Sequence, residues 1–211
     1  MTTIPPDMLL AFDTSSAACT VALFDDAGAC VASRDELIGR GHAERLVPMI
    51  AELMSGRRAD QILVGVGPGS FTGIRVALAA AHGLAIGWNS KLEGLSSLAL
   101  IAANGVRAEG DVAVAVTGGH GELFIQQFDG STFDPSSNLH NLPPAEAATT
   151  IDAALVVGSG AERLVEARGW GEAREQWPSA AKALSLPLSL RSLAPRPVYA
   201  RAPDARVPEA A

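Results

Sequence analysis

The sequence GVGPGSFTGIR, residues 65–75, follows the apolar residues Ile62, Leu63 and Val64 and leads into an alanine-rich segment. An apolar run that ends in a glycine-rich loop and continues as a helix is typical of the strand–loop–helix units of α/β proteins. Such a loop offers backbone N–H groups and the positive end of a helix dipole to a phosphate. The same glycines also suit a tight turn that binds nothing, so the pattern alone leaves both interpretations open.

The composition indicates a well-buried globular chain. It has 211 residues, 48% of them hydrophobic and 18% charged, which is enough for one large domain or two small ones. The formal net charge of −7 argues against broad, non-specific contact with nucleic acid. Cys19 and Cys30 lie without histidines at zinc-finger spacing. We therefore expect reduced core cysteines rather than a disulfide framework or a structural zinc site.

The N-terminal residues MTTIPPDMLLAFD lack the basic start and long apolar run of a signal peptide. No segment of the sequence reaches about 18 uninterrupted apolar residues, the length that a membrane span needs. We expect a cytoplasmic protein with no membrane partner.

Upstream of the glycine loop, the sequence predicts a β-hairpin and a helix. Apolar runs at residues 8–13 and 19–24, with the turn at 25–28, form the hairpin, and residues 30–34 supply a third strand. Apolar residues at helical spacing predict a helix over residues 42–54. Because proline is unfavourable inside a helix, Pro48 places the expected start of that helix nearer to Leu46.

Downstream of the loop, residues 73–86 (GIRVALAAAHGLAI) predict a helix that is apolar nearly all the way round. A helix of this kind must be covered on more than one side. One side packs on the chain's own sheet, while the side containing Ala79, Ala80 and Gly83 meets either a second helix layer or another protein. Complete burial within one chain is the alternative, and periodicity does not separate the two.

A weak internal repeat relates residues 9–28 to residues 112–130. Both stretches run from an apolar strand through a small polar turn to a second apolar strand and a turn containing Asp and Gly. The repeat predicts a duplicated α/β domain with an eroded second copy. A further strand at 154–157, a helix at 161–168 and an extended C-terminal tail complete the prediction.

Few residues are arranged for catalysis. Asp13, Thr14 and Ser15 end the first strand, where a carboxylate could hold hydrated magnesium, but an Asp that satisfies its own turn is the favoured interpretation. The four histidines match no paired metal-ligand pattern. The glycine loop lacks the lysine of a P-loop and the second glycine of a serine elbow, which leaves Arg75 as its one cation.

Several stretches together resemble the TsaB family, the dimerisation subunit of the bacterial machinery that makes N6-threonylcarbamoyladenosine in tRNA. They are LLAFDTSSAACTVALF, GHAERLVPMI, GVGPGSFTGIRVALAAAHGLAIG and LEGLSSLALIA. The resemblance covers roughly residues 8–104, with weaker traces at Gly121-Glu122 and at residues 197–201. The GPGSFTGIR block after the Asp-Thr-Ser hairpin is far more specific than a lone glycine loop.

The resemblance implies an α/β fold of the actin, Hsp70 and sugar-kinase type (ASKHA), a duplicated RNase H-like fold with two lobes. The expected lobes span residues 1–106 and 107–195, and a tail spans 196–211. It also implies a catalytically silent relative of the TsaD transferase. Ser96, Ser97 and Leu98 stand where TsaD-like proteins carry metal-binding histidines, so no cofactor is expected on this chain, and ATP and a metal ion are expected in partner subunits.

The resemblance further implies a partner interface on the helices at residues 42–54 and 73–87, with TsaD, or a second copy of the chain, packing there. TsaE is a further expected partner, the activated intermediate comes from TsaC, and tRNA is contacted only through the complex. The expected interface residues are His42, Leu46, Met49, Ile50, Leu53, Arg75, Leu78, Ala79, Ala80, His82 and Gly83. Nucleotide contact is a secondary prediction for Asp13, Thr14, Ser15, Gly67, Gly69 and Ser70.

The sequence departs from the family at His82, where Lys is common, and at residues 116–119, where an Asp-Ala-Arg run is common. Among other functions, an ATP-dependent phosphotransferase of the same fold would use Asp13 and the glycine loop around ATP. That enzyme needs a second carboxylate or a general base across the cleft, and the eroded repeat offers none. A metallopeptidase lacks ligands.

Overall fold

The computed structural model describes residues 8–105 and 110–199. The first part of the chain forms, in order, β1 (Leu9–Asp13), β2 (Ala18–Phe24), β3 (Cys30–Leu37), α1 (His42–Met54), β4 (Gln61–Gly65), α2 (Phe71–Trp88), β5 (Lys91–Leu95) and α3 (Ser97–Gly105). The second part forms β6 (Asp111–Thr117), β7 (Leu123–Asp129), β8 (His140–Leu142), α4 (Pro144–Thr150), β9 (Leu155–Val157), α5 (Ala161–Arg168), β10 (Glu172–Arg174) and α6 (Leu188–Arg191). Short 3₁₀ helices lie at Gly119–Gly121 and Ala180–Ser185.

Each part builds a five-stranded sheet, and the two sheets share one topology. The first sheet has the order β3-β2-β1-β4-β5 and the second β8-β7-β6-β9-β10. In both, three antiparallel strands are followed by two parallel ones. The predicted duplication is therefore confirmed. We refer to residues 8–105 as the first lobe, 110–174 as the second lobe and 177–199 as the C-terminal segment.

The layers run from helix to sheet to helix to sheet to helix. One core lies between α1, α2 and the first sheet, a central core encloses α3 and the 3₁₀ helix at Ala180–Ser185, and a third lies under α4 and α5. Strands β1, β2 and β6 are covered on both faces, which explains their continuous apolar sequences.

The C-terminal segment returns to the first lobe and ties the two halves together. The Ser179 hydroxyl donates to Asp35 Oδ2 at 2.7 Å, and the Ala180 N–H donates to Thr20 Oγ1 at 2.6 Å. Further along, the Val198 N–H donates to the Val66 carbonyl at 2.9 Å. The segment therefore stabilises the relative placement of the lobes through contacts with residues of the first lobe that lie more than a hundred positions away in sequence.

Two local predictions are wrong. Helix α1 begins at His42 and continues through Pro48. Pro48 lies on the exposed side, where water can bond the Glu44 carbonyl that lacks a helical N–H partner. Cys30 is exposed at the start of edge strand β3, whereas Cys19 is buried, and burial raises the pKa of its thiol to about 11.

Helix α2 is longer than predicted and is capped by Ser70, whose Oγ accepts the Gly73 N–H at 3.2 Å. Among the described helices, it is the one that is long and apolar enough to cross a membrane, with a mean hydropathy of 1.2. One side of α2 packs on the first sheet, as a core helix of an α/β domain does.

The described residues do not include the first seven residues, the expected lobe boundary at 106 and 107, or residues 200–211 of the expected tail.

Candidate functional site

The glycine loop between β4 and α2 packs against the turn that joins β1 to β2. The Ser70 N–H donates to the Ser15 carbonyl at 2.6 Å, and Thr14 Oγ1 donates to the Gly73 carbonyl at 2.7 Å. A Cβ added to Gly73 would lie 1.8 Å from the Thr14 carbonyl oxygen, and one on Gly69 would lie 2.2 Å from that of Ser15. These glycines are therefore required by contact with the chain's own turn.

Asp13 is the centre of this contact. Its Oδ1 accepts the N–H and the hydroxyl of Ser15, each at 2.7 Å, and its Oδ2 accepts the Ser97 hydroxyl. Ser97 Oγ in turn accepts the Gly67 N–H at 3.0 Å. Burial raises the pKa of Asp13, and the hydrogen bonds from Ser97 and Ser15 and the nearby His42 oppose that rise.

The residues predicted to contact nucleotide separate into two sets. Asp13 and Thr14 have no exposed surface, and Gly67 is buried with them. Ser15, Gly69 and Ser70 line the cleft between the lobes. The carboxylate that would hold magnesium therefore lies behind the cleft wall with both oxygens engaged.

Ser97→Ala is expected to destabilise the first lobe, because it leaves a buried carboxylate oxygen of Asp13 and the buried Gly67 N–H without partners. Since an unpartnered buried polar group costs about 1–3 kcal/mol, the free energy of unfolding should fall by roughly 3 kcal/mol at neutral pH, as urea denaturation would measure. Ser159→Ala is the matched control, since the one bond that its hydroxyl makes within the described residues is from the exposed Thr117 N–H. An equal, small loss in both variants would contradict the proposed role of Ser97.

The effect of Ser97→Ala should depend on pH. The Ser97 hydrogen bond lowers the pKa of Asp13, so its removal raises the folded-state pKa further above the ordinary value of 3.8. As pH falls from neutral towards 3.8, the folded variant takes up a proton before its unfolded chain does, and part of the lost stability returns. A difference in the free energy of unfolding between the variant and the parent that stays constant from about pH 7.5 down to about pH 4 would refute this.

A cleft of about 990 Å³ lies between the lobes. The first lobe contributes the turn at Ser15–Ala17, Gly39, the glycine loop and the first turns of α2. The second lobe contributes residues 116–120, Phe124 and Ser159, and the C-terminal segment contributes Trp177, Val198 and Tyr199. Aromatic and aliphatic side chains dominate its wall.

The outward-facing surface of α1 and α2 is the second candidate site. Of the predicted interface residues, Arg75, Ala79, His82 and Gly83 are exposed, and His42, Leu53 and Ala80 are half-buried. The prediction is corrected for Leu46, Met49, Ile50 and Leu78, which are at most 6% exposed. These four pack on the first sheet and leave no surface for a partner.

Helix α1 is held on edge strand β3 by ion pairs. The Arg45 guanidinium donates two hydrogen bonds of 2.6 Å to Glu36 on β3 and one of 3.0 Å to Glu52 on α1. These bonds lower the pKa of both glutamates. Arg45 and Glu52 therefore lie on the side of α1 that faces β3. Val47, which is 53% exposed, lies on the other side of the helix and belongs to the outward surface.

Comparisons with known proteins agree with this architecture. A family model described as "TsaD: tRNA N6-adenosine threonylcarbamoyltransferase" matches residues 33–158. A protein named "tRNA threonylcarbamoyladenosine biosynthesis protein TsaB" from Escherichia coli (strain K12) is 35% identical over 127 residues, which cover 57% of this chain and 54% of the relative. Its namesake from Haemophilus influenzae is 39% identical over 99 residues, 44% of this chain and 41% of that protein. The chain thus spans about half the length of the curated relatives it matches.

Two solved structures match over nearly the whole chain. One, titled as an uncharacterized protein with similarity to peptidase YEAZ from Pseudomonas aeruginosa, has a TM-score of 0.78 and 31% identity, and covers 92% of this chain and 100% of its own. A structure titled YeaZ from the same organism has a TM-score of 0.76 at 31% identity, and covers 92% of this chain and 99% of its own. The two lobes of one topology therefore define an α/β protein of the actin- and sugar-kinase-like class. The chain belongs to the TsaB family.

Sequence reasoning missed several residues of both sites. Ile86 is 83% exposed on α2, but an all-round apolar helix gives no sign of which side remains uncovered. Phe71 and Tyr199 lie 5.9 Å apart between ring centroids although they are distant in sequence. Trp177 enters the cleft from the C-terminal segment, and no sequence pattern signals this.

Proposed function

We propose that this chain is a non-catalytic subunit of the machinery that forms N6-threonylcarbamoyladenosine in tRNA. It binds and activates a TsaD-type transferase through the outward surface of α1 and α2. The observation that carries the proposal is the contrast between the outer helices of the two lobes, which occupy equivalent places in one topology.

The outer helices of the second lobe are short and polar. On α4, Glu146, Thr149 and Thr150 are exposed, and on α5 Glu162 and Glu166 are exposed. This is the surface expected of a helix that faces water. The second lobe thus provides an internal reference for an outer layer without a partner.

The outer helix of the first lobe differs in both length and chemistry. Over the 18 residues of α2, Arg75 is the only residue with a permanent charge. Phe71 is 54% and Ile86 83% exposed, and both lie in the same helix as exposed Ala79, Gly83 and Gly87. Exposed apolar surface of this kind marks a protein contact.

The glycines of α2 support the same conclusion. A Cβ added to Gly83 or Gly87 would meet nothing within 4 Å, so the chain's own fold does not require glycine there. Glycine inside a helix costs about 0.5–1 kcal/mol relative to alanine. Ala79, Gly83 and Gly87 recur every four residues along one side, where small residues let another helix approach closely.

The remaining parts of the proposal follow from the family and the charge. ATP and a metal ion belong to the partner subunits, a TsaE-type ATPase joins the complex, and the chain works in the cytoplasm. The net charge of −7 fits a subunit that meets tRNA only through its partners. A second copy of the chain is expected to use the same helices when the transferase is absent.

The test is to mix the purified chain with the TsaD-type protein of the same organism and to measure mass by size exclusion with light scattering. A heterodimer at micromolar concentration is expected, and persistent separate peaks would refute the proposal. Calorimetry of the isolated chain with Mg-ATP tests the phosphotransferase alternative. Tight binding that Asp13→Ala abolishes in a folded variant would favour that enzyme instead.

A further inference from the structure

The cleft between the lobes has an apolar wall. Phe71, Ile74, Phe124, Trp177, Val198 and Tyr199 supply its large side chains, and among the described residues Arg75 is the only lysine or arginine that lines it. Asp13 lies behind the wall with no exposed surface. A triphosphate with magnesium needs several cationic or metal-binding groups, so this lining suits an apolar ligand with one negative charge.

Arg75 is placed to receive that charge. Its guanidinium stacks over the Phe71 ring at 3.6 Å from the centroid, and the Phe71 ring in turn contacts Tyr199. Among the described residues, none forms a salt bridge or a hydrogen bond with Arg75. Stacking orients a guanidinium while leaving its N–H edge available to a carboxylate. The first turn of α2 adds the positive end of a helix dipole.

The cleft continues the outward surface of α2. Phe71 and Arg75 belong to the first five residues of α2. Ile86 lies near the other end, about 22 Å from Phe71 along the helix axis, given a rise of 1.5 Å per residue. A partner that packs along the helix therefore reaches the mouth of the cleft at one end of its contact.

We propose that the cleft binds an extended segment of the same partner, with an aromatic or branched apolar side chain inserted between Phe124 and Trp177 and a carboxylate on Arg75. The inference rests on the proposed function, because the transferase supplies the segment. It makes the cleft a peptide-binding groove of the heterodimer.

The three tryptophans of the chain allow a test that separates the two proposals. In protein labelled with 5-fluorotryptophan, Trp177 reports on the cleft, Trp88 on the end of α2, and Trp170, stacked on Arg168 at 3.7 Å, on the second lobe. Individual Trp→Phe variants assign the resonances. On saturation with the transferase, Trp88 and Trp177 should both shift, Trp177 should lose most of its broadening by the soluble radical TEMPOL, and Trp170 should not change.

Arg75→Glu should weaken the complex roughly tenfold or more, because it places like charges together. At saturating transferase it should also restore the TEMPOL broadening of Trp177 while the Trp88 shift persists. Arg174→Glu, on exposed strand β10, is the matched control and should change neither.

A shift at Trp88 with an unchanged, accessible Trp177 would overturn the cleft proposal and leave the heterodimer intact. No change at either residue would overturn both. Two results in the chain without transferase would also overturn the cleft proposal. They are a Trp177 already shielded from TEMPOL, which means that the chain fills its own cleft, and a Trp177 shift on addition of Mg-ATP, which means that the cleft takes nucleotide.

Discussion

Gly83→Arg and Ile86→Asp, each placed on the outward side of α2, are expected to weaken binding to a TsaD-type transferase at least about 100-fold, which corresponds to about 2.8 kcal/mol. An arginine at Gly83 prevents close helix approach, and an aspartate at Ile86 buries an unpaired charge at the contact. Both positions face solvent in the chain, so the monomer should stay folded. Titration of the labelled transferase by fluorescence anisotropy measures the two dissociation constants.

Gly83→Arg also changes the stability of the monomer, in the direction opposite to its effect on binding. Gly83→Arg replaces a helical glycine at an open position, so the monomer should gain up to about 0.8 kcal/mol of stability while it loses its partner. Ala167→Arg, on the exposed side of α5, is the matched control and should bind the transferase normally. Unchanged affinity in both α2 variants would mean that the interface lies elsewhere. Leu78, a candidate from the sequence, is unsuited to this test because it is 6% exposed within the core.

Gly73→Ala is expected to unfold or severely destabilise the chain. The new Cβ would lie 1.8 Å from the Thr14 carbonyl oxygen and 3.0 Å from its carbon, both backbone atoms that cannot move aside as a side-chain end can. Relieving this clash displaces the β1–β2 turn and breaks the Thr14 hydroxyl bond to the Gly73 carbonyl. We expect a loss of more than about 4 kcal/mol, or roughly 10 °C in Tm for a chain of this size.

Gly83→Ala is the control for Gly73→Ala, since it makes the same substitution within the same helix. At Gly83 nothing lies within 4 Å of the added Cβ, so the free energy of unfolding should rise by about 0.5–1 kcal/mol. Thermal melts of the two variants should therefore move in opposite directions. A soluble Gly73→Ala protein with the parent's Tm would show that the loop does not need the turn.

The two substitutions separate two uses of glycine within one helix. At Gly73 the side chain is absent because the chain's own turn occupies its place. At Gly83 and Gly87 the space is open, and the proposed partner fills it. The glycine loop is thus accounted for by an internal contact, whereas the glycines further along α2 support an external one.

Much of the fold could be predicted from local patterns. Strands β1, β2 and β6 are central and covered on both faces, so their sequences are continuous apolar runs. The repeated strand–turn–strand plan at residues 9–28 and 112–130 predicted the duplication, and the glycine loop marked the start of α2. Each of these features depends on neighbouring residues in the sequence and on burial. Both are reflected directly in the residue types.

The placement of α2 required the tertiary structure. Leu78 and Ile86 are equally apolar in the sequence, yet one is 6% and the other 83% exposed, because only the position of the sheet decides which side is covered. The two sides of such a helix differ in their surroundings and not in their residues. The predicted interface therefore included core residues.

The sequence by itself determined the strands, the duplication, the strand–loop–helix unit and the family, because each is written in local periodicity or in a contiguous motif. Only the tertiary structure decided that Ser97 bonds the buried Asp13 carboxylate, that Trp177 and Tyr199 line the cleft, and that Ile86 of α2 is exposed to solvent. Those outcomes depend on contacts between distant segments, such as the Ala180 N–H on Thr20, 160 residues apart. The free energy of such contacts depends on which distant segments meet, and neither segment carries that information alone.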